Sequence, residues 1–242
     1  MKILACGDTH GDFDAVRPAL ENAHTVASWL VQVGDFGYWE HTRSGNEFLT
    51  ECSRTAAFFG VPILFLDGNH ENHPLLWEKY ADSPKTPEGF WQIRDHLYYA
   101  PRGLTWNWGA KKCLALGGAV SIDRCARTPG YSWWATEEIS QEEEDKSKAV
   151  GKVDILFAHD CPISVDPFQN RKVKIYPETE ANRRRLERVV EATHPDLLIH
   201  GHYHIRYTST FEHRDGTLTT VDGLAADGEP GTTLLIDLGE TK

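Results

Sequence analysis

The chain has 242 residues, a formal net charge of −11 and 40% hydrophobic residues, which suits one folded domain of ordinary size. This composition excludes a disordered or fibrous chain, and the acidic excess argues against broad binding to a nucleic-acid backbone. The five cysteines are widely spaced and form no C-x-x-C pair, as is typical of reduced intracellular chains. With no leader-like or membrane-length apolar run, we expect a soluble, cytoplasmic protein with a single domain over residues 1–242.

Short apolar runs that end in glycine and polar residues predict strands buried on both faces. In chain order they are Lys2–Cys6, Trp29–Val33, Pro62–Leu66, Cys113–Leu116, Val153–Phe157 and Leu197–Ile199. Helices are predicted between them at Asp14–Ala23, Asn46–Phe59, His73–Ala81 and Thr179–Thr193. This alternation indicates an α/β fold, and the tail is predicted to be rich in sheet, with strands at Thr217–Val221 and Thr232–Leu238.

Polar residues follow these predicted strands, at the positions where open α/β sheets place their functional sites. Asp8 and His10 are spaced i, i+2, so in an extended chain both side chains point the same way and can reach one ion. His202 and His204 repeat this spacing. The full set of candidate metal ligands is Asp8, His10, Asp35, Asn69, His159, His202 and His204.

The chemistry of this set indicates the kind of metal. Carboxylate, imidazole and one amide oxygen suit manganese, iron, zinc, cobalt or nickel better than calcium or magnesium. The absence of thiolates argues against a structural zinc site. Seven ligands are too many for one ion and suit two, with one carboxylate between them. We expect two divalent transition-metal ions, with manganese preferred.

These residues carry a resemblance to a known family. Five segments resemble, in order and spacing, the motifs of the calcineurin-like metallophosphoesterase superfamily: Gly7-Asp8-Thr9-His10-Gly11, Gly34-Asp35, Gly68-Asn69-His70-Glu71, His159 and Gly201-His202-Tyr203-His204. The resemblance implies a four-layer αββα sandwich of two mixed sheets flanked by helices. It also implies a dimetal site at the carboxyl ends of the strands.

Carried over position by position, the resemblance implies a role for each ligand. One ion takes Asp8, His10 and His204, and the other takes Asn69, His159 and His202. Asp35 bridges the two ions and is therefore also catalytic. His70 is implied to lie over the substrate phosphate as a general acid or a phosphate-orienting group, with Asn69 beside it.

The expected reaction is the in-line attack of a metal-bridging hydroxide on phosphorus. Protein Ser/Thr phosphatases of the superfamily carry G-D-x-x-D-R-G at the second motif, where this chain has Tyr38 in place of the Asp and Trp39 in place of the Arg. A monoester dianion profits more from an extra guanidinium than a diester does. The missing Arg therefore favours a phosphodiesterase, and the missing Asp leaves open what orients His70.

The stretch from Gly117 to Trp134 predicts a loop rich in Gly, Arg and Trp. One interpretation is a substrate loop, with Arg124 or Arg127 on phosphate and Tyr131 or Trp133 stacking on a base. The other is an ordered loop that packs its tryptophans at the rim of the core. The stretch resembles loops of small bacterial and phage members, among which phosphodiesterases of cyclic nucleotides, including 2′,3′-cyclic ones, are a match.

The sequence predicts a hydrolase acting on a small phosphoester or nucleotide, with neither long nucleic acid nor a membrane as a partner. The alternatives on the same site are a phosphomonoesterase, a nucleotide pyrophosphatase or a nuclease. A non-catalytic scaffold is a further alternative, although none of the seven ligands is lost. Two polar helix faces, at Arg183-Arg184-Arg185 and Glu142-Glu143-Glu144, are expected to be solvated.

Overall fold

The structure, a computed structural model, describes residues 1–169 and 176–239, which form two six-stranded sheets flanked by helices. The strands are β1 Lys2–Cys6, β2 Trp29–Val33, β3 Ile63–Leu66, β4 Trp91–Arg94, β5 Leu97–Tyr99, β6 Leu104–Trp108, β7 Lys111–Leu116, β8 Ile155–Ala158, β9 Leu197–His200, β10 Tyr207–Glu212, β11 Leu218–Gly223 and β12 Thr233–Asp237. The helices are α1 Phe13–Val26, α2 Arg43–Phe59, α3 His73–Tyr80, α4 Gln141–Lys148 and α5 Glu180–Thr193. Single 3-10 turns lie at Arg124–Ala126, Ala135–Glu137 and Pro177–Thr179.

Each sheet has a parallel centre and antiparallel edges. The first sheet runs β12-β1-β2-β3-β5-β4, and the pairs from β1 through β5 are parallel. The second sheet runs β10-β11-β9-β8-β7-β6, with β11, β9, β8 and β7 parallel. Since parallel strands all end at the same edge of a sheet, the loops after β1, β2 and β3 gather at one edge, and those after β8 and β9 at another.

Alternation along the strands builds four layers. In β1, Ile3 belongs to the apolar cluster between the two sheets, while Leu4 points the other way, into the cluster with α1 and α2. In the second sheet, Phe157 of β8 faces the inter-sheet cluster, and Leu156 packs with Leu186 of α5. The expected αββα sandwich of two mixed sheets is thus confirmed.

Most predicted elements match observed ones within two or three residues, whereas β4, β5, β6 and β10 were not predicted. These four are edge or next-to-edge strands. Three of them mix polar or half-exposed residues with buried ones, and β5 is only three residues long, so none forms a continuous apolar run. No helix in the described ranges is long and apolar enough to cross a membrane.

The expectation of two solvated helix faces was wrong for one residue in each. Arg183 lies on the face of α5 that packs inward, is 4% exposed, and donates to the carbonyls of Pro162 and Val165. Glu144 of α4 is 1% exposed and accepts two hydrogen bonds from Arg188. Each charge is buried with partners that offset its desolvation, which a sequence pattern does not reveal.

Candidate metal centre

Five loops bring the seven predicted ligands together, all at the carboxyl ends of strands. Asp8 and His10 follow β1, Asp35 follows β2, Asn69 follows β3, His159 follows β8, and His202 and His204 follow β9. Four of these seven adopt the left-handed backbone conformation, with φ values of 43° at His10, 54° at Asp35, 67° at His202 and 56° at His204. Such φ values are uncommon for residues other than glycine, and their concentration in one place is typical of a functional site.

One half of the cluster consists of Asp8, His10 and His204, whose donor atoms lie close enough to hold one ion. Nε2 of His204 lies 3.1 Å from Oδ2 of Asp8, and Nε2 of His10 lies 3.9 Å from the same oxygen. Asp8 is fully buried, whereas the His204 side chain is 48% exposed. This half therefore opens from a buried carboxylate toward solvent.

The other half consists of Asp35, His159 and His202, whose donor atoms likewise lie within reach of one ion. Nε2 of His159 lies 3.3 Å from Oδ2 of Asp35 and 3.2 Å from Oδ1 of Asn69. Nδ1 of His159 is paired with the carbonyl of Val33 at 2.9 Å, which leaves Nε2 facing the cluster. The amide oxygen of Asn69 thus lies in this half.

Asp35 lies between the two halves. Its Oδ2 is 3.5 Å from Nε2 of His10 in one half and 3.3 Å from Nε2 of His159 in the other. Its Oδ1 accepts the backbone N–H groups of Asn69 and His70, each at 2.9 Å. One carboxylate oxygen is held by the backbone, while the other faces both halves, which is the geometry a bridging ligand needs.

Within the described residues, the ion pairs of Asp8 and Asp35 all involve histidines. Burial works to raise the pKa of Asp35, but interactions with the neighbouring histidines, His70 and His159 foremost, outweigh it and hold that pKa well below its usual range. Burial works to lower the pKa of His159, and the charges of Asp35 and Asp8 instead raise it to about 10. Two buried carboxylates therefore hold their negative charge by drawing protons onto neighbouring imidazoles, protons that a bound metal ion displaces.

Two glycines allow this crowding. A Cβ on Gly201 would lie 2.0 Å from Oδ1 of Asp8, and one on Gly68 would lie 2.2 Å from Oδ1 of Asp35. Any side chain at either position would push a carboxylate out of the cluster. The glycines of the motifs are therefore required by close approach of the backbone to the carboxylates.

His70 and Arg127 form a pair at the edge of the cluster. Nη2 of Arg127 lies 2.5 Å from Nε2 of His70, which is 3.7 Å from Oδ2 of Asp35. Since a guanidinium can only donate, Nε2 of His70 accepts in this arrangement and the imidazole is neutral. Burial, opposed by Asp35 and supported by the charge of Arg127, lowers the pKa of His70. His70 also lies within reach of a group with His10 and Asp35, so its position does not by itself separate a ligand from a phosphate-facing residue.

The cluster forms the floor of a cavity of about 580 Å³. The lining is partly apolar and includes Ile122, Phe168 and Tyr203. A smaller cavity of about 230 Å³ lies beyond the His70–Arg127 pair and is lined by Trp39, His41, Thr42, Tyr131 and Ser132 together with that pair. Of the predicted substrate-loop residues, Arg127 and Tyr131 line a cavity, whereas Arg124 and Trp133 line neither of these two.

Comparison with known proteins decides the family. The sequence profile of the calcineurin-like phosphoesterases matches residues 1–206, which contain all seven ligands and His70. The chain belongs to the calcineurin-like phosphoesterase family. Membership makes it a phosphoester hydrolase, and the family uses a dinuclear divalent metal site.

Two individual proteins resemble this calcineurin-like phosphoesterase. The chain is 23% identical over 252 aligned residues to a lariat debranching enzyme of Drosophila pseudoobscura pseudoobscura, covering 90% of this chain but only 45% of that enzyme. Among solved structures, a phosphopantetheinyl hydrolase from Mycobacterium tuberculosis aligns with a TM-score of 0.45 and 10% identity, over 97% of this chain and 96% of that one. The chain thus spans less than half the length of the curated relative it matches.

The residues of this phosphoesterase fit two divalent ions. Two buried carboxylates, one amide oxygen and four imidazoles supply the mixed oxygen and nitrogen donors that such ions take. The two groups share a cleft with Asp35 between them, as the resemblance implies.

Sequence reasoning missed the residues behind the ligands. Oδ1 of Asp227 lies 2.9 Å from Nδ1 of His10 and orients that ring, although 217 positions separate the two. Oγ of Ser121 accepts from Nδ2 of Asn69 at 2.9 Å and donates to Oε2 of Glu137 at 2.5 Å. This chain of bonds fixes which end of the Asn69 amide faces the cluster. The sequence signal available was weak: Ser121 lies just past the glycines after β7.

Two residues next to the predicted site have roles that the sequence did not show. Glu71 is fully buried and accepts from the backbone N–H groups of Gly37 and Gly68. Burial, followed by the charge of Asp35, raises the pKa of Glu71 to about 7. Trp39, in place of the phosphatase Arg, donates its indole N–H to the carbonyl of His70 at 2.6 Å and so fixes the backbone that carries it.

Proposed function

We propose that this chain is a dinuclear metal-dependent phosphodiesterase that hydrolyses a small, nucleotide-like phosphodiester. The observation that carries the proposal is the replacement at the second motif: Trp39 packs where protein phosphatases carry a phosphate-binding Arg, and among the described residues Arg127 is the cation in contact with His70. One guanidinium suits the single charge of a diester better than the two charges of a monoester. Manganese is the proposed ion, and 2′,3′-cyclic nucleotides are among the proposed substrates.

In the proposed reaction, different residues of the chain hold the metal ions, orient a ligand and contact the phosphate. Asp8, Asp35, Asn69 and the histidines around them would hold two ions, which when bound lower the pKa of a water and withdraw charge from phosphoryl oxygens. Asp227 keeps Nε2 of His10 facing the cluster by pairing with Nδ1. Arg127, at the border of the cleft, would donate to a phosphoryl oxygen of the bound substrate instead of to Nε2 of His70, which would free that nitrogen to take up a proton.

His70 has two proposed roles that one comparison separates. As a general acid it protonates the leaving alcohol, which matters most when that alcohol is a poor leaving group. As a phosphate-orienting group it affects good and poor leaving groups alike. His70→Ala is expected to slow diesters of poor leaving groups by about 10²–10⁴-fold and good ones much less; an equal loss for both would assign the orienting role.

The proposal is tested by a substrate screen with added manganese. It compares chromogenic monoesters and diesters with 2′,3′- and 3′,5′-cyclic nucleotides, using initial rates at equal enzyme concentration. We expect diesters to be hydrolysed faster than the matching monoesters. A higher kcat/KM for the monoesters would replace the proposal by a phosphomonoesterase, and a preference for nucleoside polyphosphates by a pyrophosphatase.

The similarity to a lariat debranching enzyme supports a second candidate function, the hydrolysis of a lariat. A lariat is therefore added to the substrates that are tested. Against this candidate stands the net charge of −11, which disfavours a long nucleic-acid partner. Hydrolysis of a lariat with a strong inverse dependence on salt would favour this candidate over the small diester.

A further inference from the structure

The two cavities meet at one place, and their linings differ. Among the described residues that line them, His70 and Arg127 alone border both. The candidate ligands His10, Asn69 and His202 border the large cavity alone. A phosphate held between the ligands and Arg127 therefore has open space on two sides.

From this juxtaposition we infer that the substrate is an acyclic phosphodiester, with its leaving alcohol in the small cavity and its other substituent in the large one. The inference rests on the proposed phosphodiesterase function and narrows it, because it places acyclic diesters ahead of the 2′,3′-cyclic nucleotides among the proposed substrates. Hydrolysis adds a water oxygen to phosphorus and breaks the bond from phosphorus to the leaving oxygen. That oxygen takes up one proton, so the products are a phosphomonoester and an alcohol.

In-line displacement gives the direction. The attacking and leaving oxygens lie on opposite sides of phosphorus. The attacking oxygen comes from the side of Asp8 and Asp35, so the leaving oxygen points away from them, past His70 and Arg127. The small cavity begins there. A cyclic nucleotide keeps its leaving oxygen on the same ribose and would leave this cavity unfilled.

The walls indicate what each side takes. In the small cavity, Tyr131 is 62% exposed, and its backbone carbonyl and ring both contact His41, at 3.2 Å and at a ring separation of 5.7 Å. Trp39 lies on the same wall. A held, exposed aromatic ring is a stacking surface, so the leaving alcohol carries a ring such as a nucleobase.

The large cavity offers a similar surface for the retained substituent. Phe168 meets the ring of Tyr203 edge-on at 5.4 Å, and the Tyr203 hydroxyl donates to Asp160 at 2.7 Å, which holds this wall in place. Ile122, 54% exposed, borders the same cavity. The class of substrate that fills both cavities is a diester joining two nucleosides, or a nucleoside and another ring-bearing alcohol.

The test compares a dinucleoside monophosphate with a 2′,3′-cyclic nucleotide, using manganese-loaded enzyme and the ratio of the two kcat/KM values. The wild type is expected to favour the dinucleoside. Tyr131→Ala is expected to lower the ratio about tenfold, the effect of losing one base–aromatic stack, and Tyr131→Phe to retain it. Phe58→Ala, which removes another exposed ring that lines neither cavity, is the control and should leave the ratio unchanged.

A ratio that favours the cyclic substrate, or one that Tyr131→Ala changes less than about threefold, overturns the inference while leaving a phosphodiesterase in place. Hydrolysis of neither substrate by folded, loaded enzyme instead contradicts the proposed function. Calorimetry then decides the inference separately, with metal-stripped protein and a dinucleoside methylphosphonate, whose neutral linkage avoids repulsion by Asp8 and Asp35. Binding that weakens in Tyr131→Ala and not in Phe58→Ala supports the inference, and equal binding overturns it.

Discussion

Two buried carboxylates, which follow two neighbouring strands, differ in the groups that pair with them. Asp67 follows β3 and accepts from the Tyr99 hydroxyl at 2.8 Å and from Nε of Arg102 at 2.7 Å. Asp35 follows β2 and, within the described chain, has only histidines as ion-pair partners. Asp67 is neutralised inside the fold, whereas Asp35 faces a cleft with its charge available. The difference shows how a structural carboxylate can be told from a metal-binding one: by whether the chain itself supplies the permanent cation.

Asp67 and Arg102, which we call the Asp67 centre, also hold a neighbouring turn in place. Arg102 is 5% exposed, and its guanidinium donates to the carbonyls of Thr136, Glu137 and Glu138. It therefore attaches the 3-10 turn that carries Glu137 to the end of β3. Since Glu137 holds Ser121, which holds Asn69, the structural centre supports one ligand of the metal centre.

Asp35→Asn tests whether the negative charge of Asp35 is needed for turnover. The amide can still accept the N–H groups of Asn69 and His70, so the fold should persist, but the bridging charge is lost. We expect diesterase turnover to fall to background with an unchanged circular dichroism spectrum. Retained turnover would mean that the bridge between the two halves lies elsewhere.

Arg102→Gln tests the other centre. Removing one partner of a buried ion pair leaves Asp67 uncompensated, and we expect the free energy of unfolding to fall by about 3–5 kcal/mol in denaturant titrations. Arg17→Gln, at an exposed helix pair with Glu21, is the control and should change little. If the protein still folds, it should bind two ions at saturating manganese, because all seven candidate ligands remain, although the ion beside Asn69 should bind less tightly; a loss of metal without a loss of stability would reverse the roles of the two centres.

Ser121→Ala tests the connection between the Asp67 centre and the metal centre, and of these variants we expect it to change the protein least. Without the serine hydroxyl, the Asn69 amide is no longer oriented, and we expect the affinity for one of the two ions to fall about 10–100-fold. Competition with a chelator measures both affinities. Ser53→Ala removes a hydroxyl that donates to the carbonyl of Asp95 away from the cleft, and it should leave both affinities unchanged.

The central parts of the fold and the seven candidate ligands follow from local patterns. Asp8 and His10 are close in sequence and follow an apolar run, so their convergence needs only a strand and a tight turn. Asp67 follows β3 just as closely, yet the sequence does not show that Arg102, 35 positions later, neutralises it. Asp227 and Glu137 were beyond prediction for the same reason, because tertiary packing brings them to His10 and Ser121.

If Asp35 bridges two divalent ions, each chain holds two ions, and elemental analysis measures this number. Protein stripped with a chelator, reloaded with manganese and dialysed is measured by elemental analysis beside Asp35→Asn and Asp67→Asn. We expect two ions per wild-type chain, fewer in Asp35→Asn, and two in the fraction of Asp67→Asn that remains folded. Folded wild-type protein that retains no ion under these conditions would contradict this expectation.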